Sequence, residues 1–324
     1  MPLTDCTIGC QKGSSVKINF GIRVVLYQKS FEPIKEYVLA AEKFGYSNIW
    51  VNDHLLPIVG SIEKPMMEAW TVISSLAPIT HDIRLGTLVL NNAFRYPQLI
   101  AKMAATLDII SNGRLEIGIG GGWFKKEFEM FGFPYQKHSE RIAMLSEAVE
   151  LLKNLWSKER TTYNGKYYHV NDAVCLPKPL QKPYPPLLIG GHSTSLLHLV
   201  AKHADKSNFL LLSSKDFAKK AELLKKECNK VGRSYSKIKK SLFVEAMVVR
   251  SKKETYEEIR KRLRERGIPV KQLGRYAQRC IIGTPERCIQ RIKEYVDANE
   301  FMLVFPNLDT KQIKFFADSV MACL

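Results

Sequence analysis

Three short clusters in this chain combine residue types that do chemistry, and each follows a run of apolar residues: Asn52-Asp53-His54, Gly120-Gly121-Gly122-Trp123 and Gly190-Gly191-His192-Ser193. An imidazole gives or takes a proton near neutral pH, so His54 suits a proton donor beside a redox ring. Asp53 then orients that ring or caps the next segment; the bland alternative is a histidine that only hydrogen-bonds Asp53 or a neighbouring loop. Three successive glycines let backbone N–H groups approach a ligand closely, as a nest for phosphate or for the edge of a flavin-like ring. A tight turn with no ligand fits the same residues. Gly190 and Gly191 precede a helix expected from 194, whose unpaired N–H groups accept phosphate. Ser193 either adds a hydroxyl or caps that helix, and His192 is placed to reach a ligand. Asn91 and Asn92 close a further apolar run. The spacing matches no GxGxxG or GK[ST] phosphate loop, no HExxH zinc helix and no GxSxG nucleophile elbow.

The elements that position these residues repeat. Apolar runs over 16–26, 48–54, 83–90, 114–120, 187–191, 207–212, 240–249 and 301–306 read as strands. Helices are expected at about 31–44, 66–78, 98–111, 138–156, 194–203, 215–231, 253–266, 285–298 and 310–322. The loop before the 285 helix, Ile281 to Pro285, offers Thr284 as a cap and Pro285 as a first-turn residue. Eight alternating units favour a (β/α)8 barrel over an open doubly wound sheet, and a barrel collects function at the C-terminal ends of its strands, where all the clusters fall. Residues 1–15 read as a polar arm. The rhythm breaks at 157–186, where Thr161 to Val170 reads as a hairpin around Asn164-Gly165, followed by a proline-rich return. Such an insertion is expected at the C-terminal face of a single domain spanning 1–324.

Composition excludes several classes. A chain of 324 residues buries a full core. Its 49 Lys and Arg against 32 Asp and Glu favour anionic ligands, but the excess is spread over helices without aromatic interleaving, so no nucleic-acid partner is expected. No long apolar run predicts a membrane span or export signal. The seven cysteines, Cys6, Cys10, Cys175, Cys228, Cys280, Cys288 and Cys323, show no zinc spacing and read as mostly buried, reduced thiols of a cytoplasmic protein.

Five stretches carry a family resemblance: 45–54 (GYSNIWVNDH), 83–90 (IRLGTLVL), 97–123 (PQLIAKMAATLDIISNGRLEIGIGGGW), 187–191 (LLIGG) and 283–305. The chain resembles the bacterial luciferase-like oxidoreductases, and within them the branch dependent on the deazaflavin coenzyme F420. The resemblance implies a (β/α)8 barrel, often a homodimer, that binds F420, or alternatively FMN, without a covalent link and acts on a small organic substrate. It places Asp53 and His54 beside the coenzyme ring; His54 is then expected as the catalytic proton donor, oriented by Asp53 or Asn52, with Asn52 and Asn91 among the coenzyme-binding residues. It implies a non-proline cis peptide at Leu88-Val89 against the ring, and a phosphate and ribityl path along Gly120, Gly121, Gly122, Gly190, Gly191, His192 and Ser193. Hydride transfer to or from F420 is the first expectation. An FMN-dependent monooxygenase and a non-catalytic coenzyme-binding barrel are the alternatives. Where sugar-phosphate dehydrogenases of the F420 branch carry a catalytic glutamate after the glycine turn, this chain has Trp123, so their acid and substrate do not transfer.

Overall fold

Side-chain alternation along the first strand decides what lines the centre of the molecule. In the computed structural model, which describes residues 18–324, β1 (Asn19–Val24) directs Phe20, Ile22 and Val24 into the layer beneath the helices. Gly21 faces the opposite way, toward Trp50, so Arg23 two residues on also points into the lumen. The arm expected at 1–15, with Cys6 and Cys10, lies outside the described residues.

The chain continues through α1 (Glu32–Lys43), β2 (Asn48–Val51), α2 (Ala69–Leu76), β3 (Arg84–Thr87), β4 (Leu90–Asn91) and α3 (Pro97–Ile110). Next come β5 (Leu115–Gly120), α4 (Lys125–Phe131), α5 (His138–Ser157), β6 (Thr161–Asn164), β7 (His169–Ala173), β8 (Leu187–Gly190), α6 (Thr194–His203) and β9 (Lys206–Leu210). The last part holds α7 (Ser214–Lys230), β10 (Lys239–Val248), α8 (Lys252–Glu265), α9 (Leu273–Ala277), β11 (Cys280–Gly283), α10 (Pro285–Lys293), β12 (Glu300–Val304) and α11 (Thr310–Ser319). Parallel pairing runs β1-β2-β3-β5-β8-β9-β10-β12, and β12 pairs back onto β1, closing an eight-stranded barrel. This is the expected (β/α)8 architecture, and the eight expected strands are the eight that close it.

Four local differences follow from chemistry that periodicity does not carry. The apolar run 83–90 is split: β3 pairs the start of β5, β4 pairs its end, and between them the Leu88-Val89 peptide is cis. Ile281 to Gly283, expected in a loop, belongs to β11, a short parallel strand laid on the outer half of β10 from Glu245 to Val248. Thr284 stands at the N-cap of α10 but its side chain makes no capping bond, while Pro285 does open the helix. The expected hairpin forms as β6 and β7, paired Asn164 to His169. Its segment leaves α5 and returns before β8, so both ends lie at the N-terminal end of the barrel, where Gln181 bonds Asp108 and Arg84. Only its turn reaches the other end, where Asn92 donates to the Tyr168 hydroxyl at 3.0 Å.

Inside the barrel two glycines make room for one indole. A Cβ on Gly86 would stand 2.3 Å from Trp50, and one on Gly21 would stand 2.8 Å from it. Trp50 in turn donates its ring N–H to Glu300 (3.1 Å). Below it, Lys206 bridges Glu300 (2.9 Å) and Glu116 (2.6 Å), and Arg84 and Asn48 also bond Glu116. Burial pushes both carboxyls up, but Lys206 and Arg84 hold Glu116 below the usual range, whereas Glu300 stays raised. The charges of this floor are paired with one another, Lys206 and Arg84 against Glu116 and Glu300.

Candidate active site at the barrel mouth

The polar residues at the end of β2 separate into different jobs. Asp53 is buried and accepts from the Arg95 guanidinium (2.7 and 3.1 Å) and from the Asn91 N–H (2.9 Å). Arg95 also pairs with Glu68, the N-cap of α2. Burial lifts the Asp53 carboxyl above its ordinary value, and Arg95 opposes that rise. Asn52 accepts from Arg23 Nε and Nη2 at 3.2 and 2.8 Å, while its Nδ2, also buried, has no partner. Neither residue therefore orients His54, contrary to the sequence expectation.

His54 is held by a residue the sequence reading did not single out. Its Nδ1 lies 3.0 and 3.1 Å from the two carboxylate oxygens of Glu127, whose side chain is only 1% exposed. The same carboxylate accepts the N–H groups of Leu55 (2.6 Å) and Leu56 (3.0 Å), tying down the loop after β2. Glu127 sits in the first turn of α4, the helix that starts just past the glycine turn. Its sequence signal was present: Phe124, Phe128 and Phe131 recur at helical spacing, and Glu127 falls on the face they define. Trp123 and Phe124 complete this wall. Trp123 meets the imidazole edge-to-face at 5.8 Å while remaining 62% exposed.

The glycines have unequal roles. Gly122 adopts φ +70°, and a Cβ there would meet Asn91 Oδ1 at 2.5 Å and Phe128 at 2.8 Å. Gly121 needs neither positive φ nor close approach, since its nearest neighbour to an added Cβ is the Arg141 carbonyl at 3.6 Å. A Cβ on Gly120 or Gly190 would strike the Val89 side chain, at 2.8 and 3.0 Å, so both glycines make room for the bulge at Leu88-Val89. Leu88 and Val89 then join Val25, Leu211, Phe243 and Val304 in an apolar cluster above Trp50. At the end of β8 the Gly191 N–H donates to the Asn208 carbonyl, so the free donors of this helix start belong to the residues after it. Ser193 is the N-cap of α6, its Oγ accepting from Leu196 N–H. His192 Nδ1 is buried without a partner, and burial, helped by Lys220, lowers its pKa.

Comparison with known proteins gives a consistent picture. The family model described as luciferase-like monooxygenase matches residues 13–272. An F420-dependent glucose-6-phosphate dehydrogenase of Amycolatopsis mediterranei is 34% identical over 185 residues, a match covering 56% of this chain and about half (53%) of that relative. One of the same description from Microbacterium testaceum is 26% identical over 95% of this chain and 97% of its own. Among solved structures, an F420-dependent secondary alcohol dehydrogenase in complex with an F420-acetone adduct superposes with TM-score 0.81 at 21% identity, covering 95% of this chain and 99% of that one. At that identity the likeness shows the barrel fold.

Proposed function

We propose, from the premise that the chain belongs to the luciferase-like monooxygenase family, that it is an oxidoreductase transferring hydride between coenzyme F420 and a small organic substrate. The observation that carries this reading is the mouth itself: an apolar bulge at Leu88-Val89, a histidine fixed by a buried carboxylate, and two glycine turns within one opening. The residues present suit a flat ring with an anionic tail. The orphaned His192 Nδ1, the free donors at the start of α6 and the Lys220 charge that acts on His192 suit a phosphate, and Gly122 leaves space that a Cβ would fill.

F420, when bound, supplies a ring carbon that gives or accepts hydride; the protein supplies position and a proton. Leu88 and Val89 offer an apolar surface to a ring face. Asn52 stands beside the ring edge with its Oδ1 held by Arg23, and Asp53 holds Asn91 and Arg95 in place around it. His54, with Nδ1 donating to Glu127, keeps Nε2 to hold or move the proton. Gly120, Gly121, Gly122, Gly190, Gly191, His192 and Ser193 form the path for the tail. FMN is the alternative coenzyme, favoured by partial similarity to an FMNH(2)-dependent dimethylsulfone monooxygenase of Pseudomonas putida, and a protein that purifies yellow with a flavin spectrum would reverse the order. A homodimer in the cytoplasm completes the proposal. The buried free thiols of Cys175, Cys228, Cys280 and Cys288 support a reducing compartment.

The direct test of the catalytic assignment is His54→Ala. Loss of a positioned proton donor lowers turnover by about 10²–10⁴-fold. F420 affinity stays near that of the parent. Turnover unchanged by the substitution would remove His54 from the chemistry and favour a barrel that only binds coenzyme.

A further inference from the structure

The lumen of the barrel contains a cation that no carboxylate answers. Arg23 ends β1 on the inward side, with its guanidinium 5.7 Å from the centre of the Phe243 ring. Its Nε and Nη2 both donate to one oxygen, Asn52 Oδ1, and the Tyr27 hydroxyl is its other polar neighbour, so no carboxylate is bonded to it among the described residues. Three other enclosed cations are matched by carboxylates: Arg95 by Asp53 and Glu68, Lys206 by Glu116 and Glu300, Arg262 by Glu245 and Glu258; Lys240, outside the lumen, lies over the Tyr235 ring. Arg114 is answered by carbonyl oxygens and the Thr80 hydroxyl. Arg23 differs because its second neighbour is another donor. Asn52 Nδ2 is buried, with no partner. A half-buried guanidinium with no carboxylate bonded to it, beside the orphaned Asn52 Nδ2 and above an apolar floor, forms half of a binding site, because both gain when an anion reaches them.

The surrounding charges set the kind of anion. Burial lowers the Arg23 pKa, Arg266 lowers it further, and Tyr27 and Glu245 oppose them. Glu245 is already engaged by Arg262 at 3.1 Å, by the Tyr276 hydroxyl at 2.5 Å and by Arg266. With Glu258 also bound to Arg262, three guanidinium groups stand against two carboxylates, a surplus of one positive charge. One surplus charge, one planar guanidinium edge and apolar neighbours in Phe243, Val304 and Leu211 match a monoanion with an apolar body. A phosphate dianion would be left short of cations.

We infer that the Arg23 guanidinium, with Asn52 Nδ2, is a subsite for a carboxylate borne by the substrate. The inference rests on the oxidoreductase reading for the role of the occupant, and names the substrate class as small monocarboxylates with an apolar portion. The carboxylate docks at Arg23, and the remainder of the molecule extends toward His54 and the Trp123 wall.

The experiment is calorimetric titration of coenzyme-free protein with benzoate, its neutral isostere benzamide and inorganic phosphate, for the parent, Arg23→Gln and Arg23→Lys. The subsite predicts saturable benzoate binding that benzamide and phosphate do not reproduce, weakened about tenfold or more by R23Q and partly kept by R23K. F420 titration of the same variants separates the sources of charge. Affinity unchanged by R23Q assigns Arg23 to substrate, whereas equal loss of F420 affinity makes it a coenzyme contact and overturns the inference. Absent benzoate binding in the parent, or binding that benzamide or R23Q matches, also overturns it. Failure of the parent to bind F420 while benzoate discriminates would sink the coenzyme reading and leave the anion subsite standing.

Discussion

His54 reaches its environment through Glu127, and that dependence is measurable. If the carboxylate acts by fixing the imidazole, Glu127→Gln lowers turnover in the parent but has little further effect in a His54→Ala background. A carboxylate that only ties down Leu55 and Leu56 would cost both backgrounds equally, so the double-mutant cycle on kcat separates the two. The glycine turn gives a second contrast. Gly122→Ala places a side chain at φ +70° against Asn91 and Phe128, with an expected loss of about 1–3 kcal/mol of stability and weaker coenzyme binding. Gly121→Ala adds an ordinary contact with Arg141 and leaves stability nearly unchanged, as thermal unfolding of the two variants will report. Asp53, His54 and the glycines were legible because they follow apolar runs directly. Glu127 was not singled out: the aromatic spacing around it marks a helix face, but its bond to His54, 73 residues away, leaves no trace in the pattern.

The elements were legible where one physical signal dominates. Alternating buried strands and amphipathic helices set eight of the nine long parallel strands and most of the helices. Signals failed where an element is short or supported from outside. β11 was missed because Gly283-Thr284-Pro285 reads as a turn, while its ladder comes from the outer half of the ten-residue β10. α4 was missed because seven residues beside a glycine turn give too few periods. β2, β5, β9 and β12 meet at the charged floor, which makes Lys206 the element-scale test. Lys206→Met leaves Glu116 and Glu300 buried together, at an expected cost of about 3–5 kcal/mol in denaturant unfolding. Glu300 is already raised by burial and rises further once Lys206 is gone. A folded-state carboxyl raised above its unfolded value binds protons more tightly when folded, so the deficit shrinks as pH falls and grows as pH rises. A deficit independent of pH would mean that lost packing, not charge, is responsible.

At the scale of the whole molecule, the barrel divides into a paired, charged end and an open end where donors lack acceptors. Glu116, Glu300, Lys206 and Arg84 satisfy one another below Trp50. Above it, Arg23, Asn52 Nδ2 and His192 Nδ1 have unmet capacity. The paired charges and the candidate site thus lie at opposite ends of one lumen, as the strand directions of a (β/α)8 barrel allow. The sequence carried the architecture and the location of the mouth; it did not carry which donors would be left over, because that depends on three-dimensional pairing. Coenzyme F420 is the occupant on which the account stands. The measurement that tests it most directly is a fluorescence titration of F420 with the purified protein, FMN being titrated in parallel. Saturable F420 binding in the micromolar range, weakened by Gly122→Ala and preserved in His54→Ala, is the expected result. No binding of F420, or tight FMN binding in its place, would contradict it.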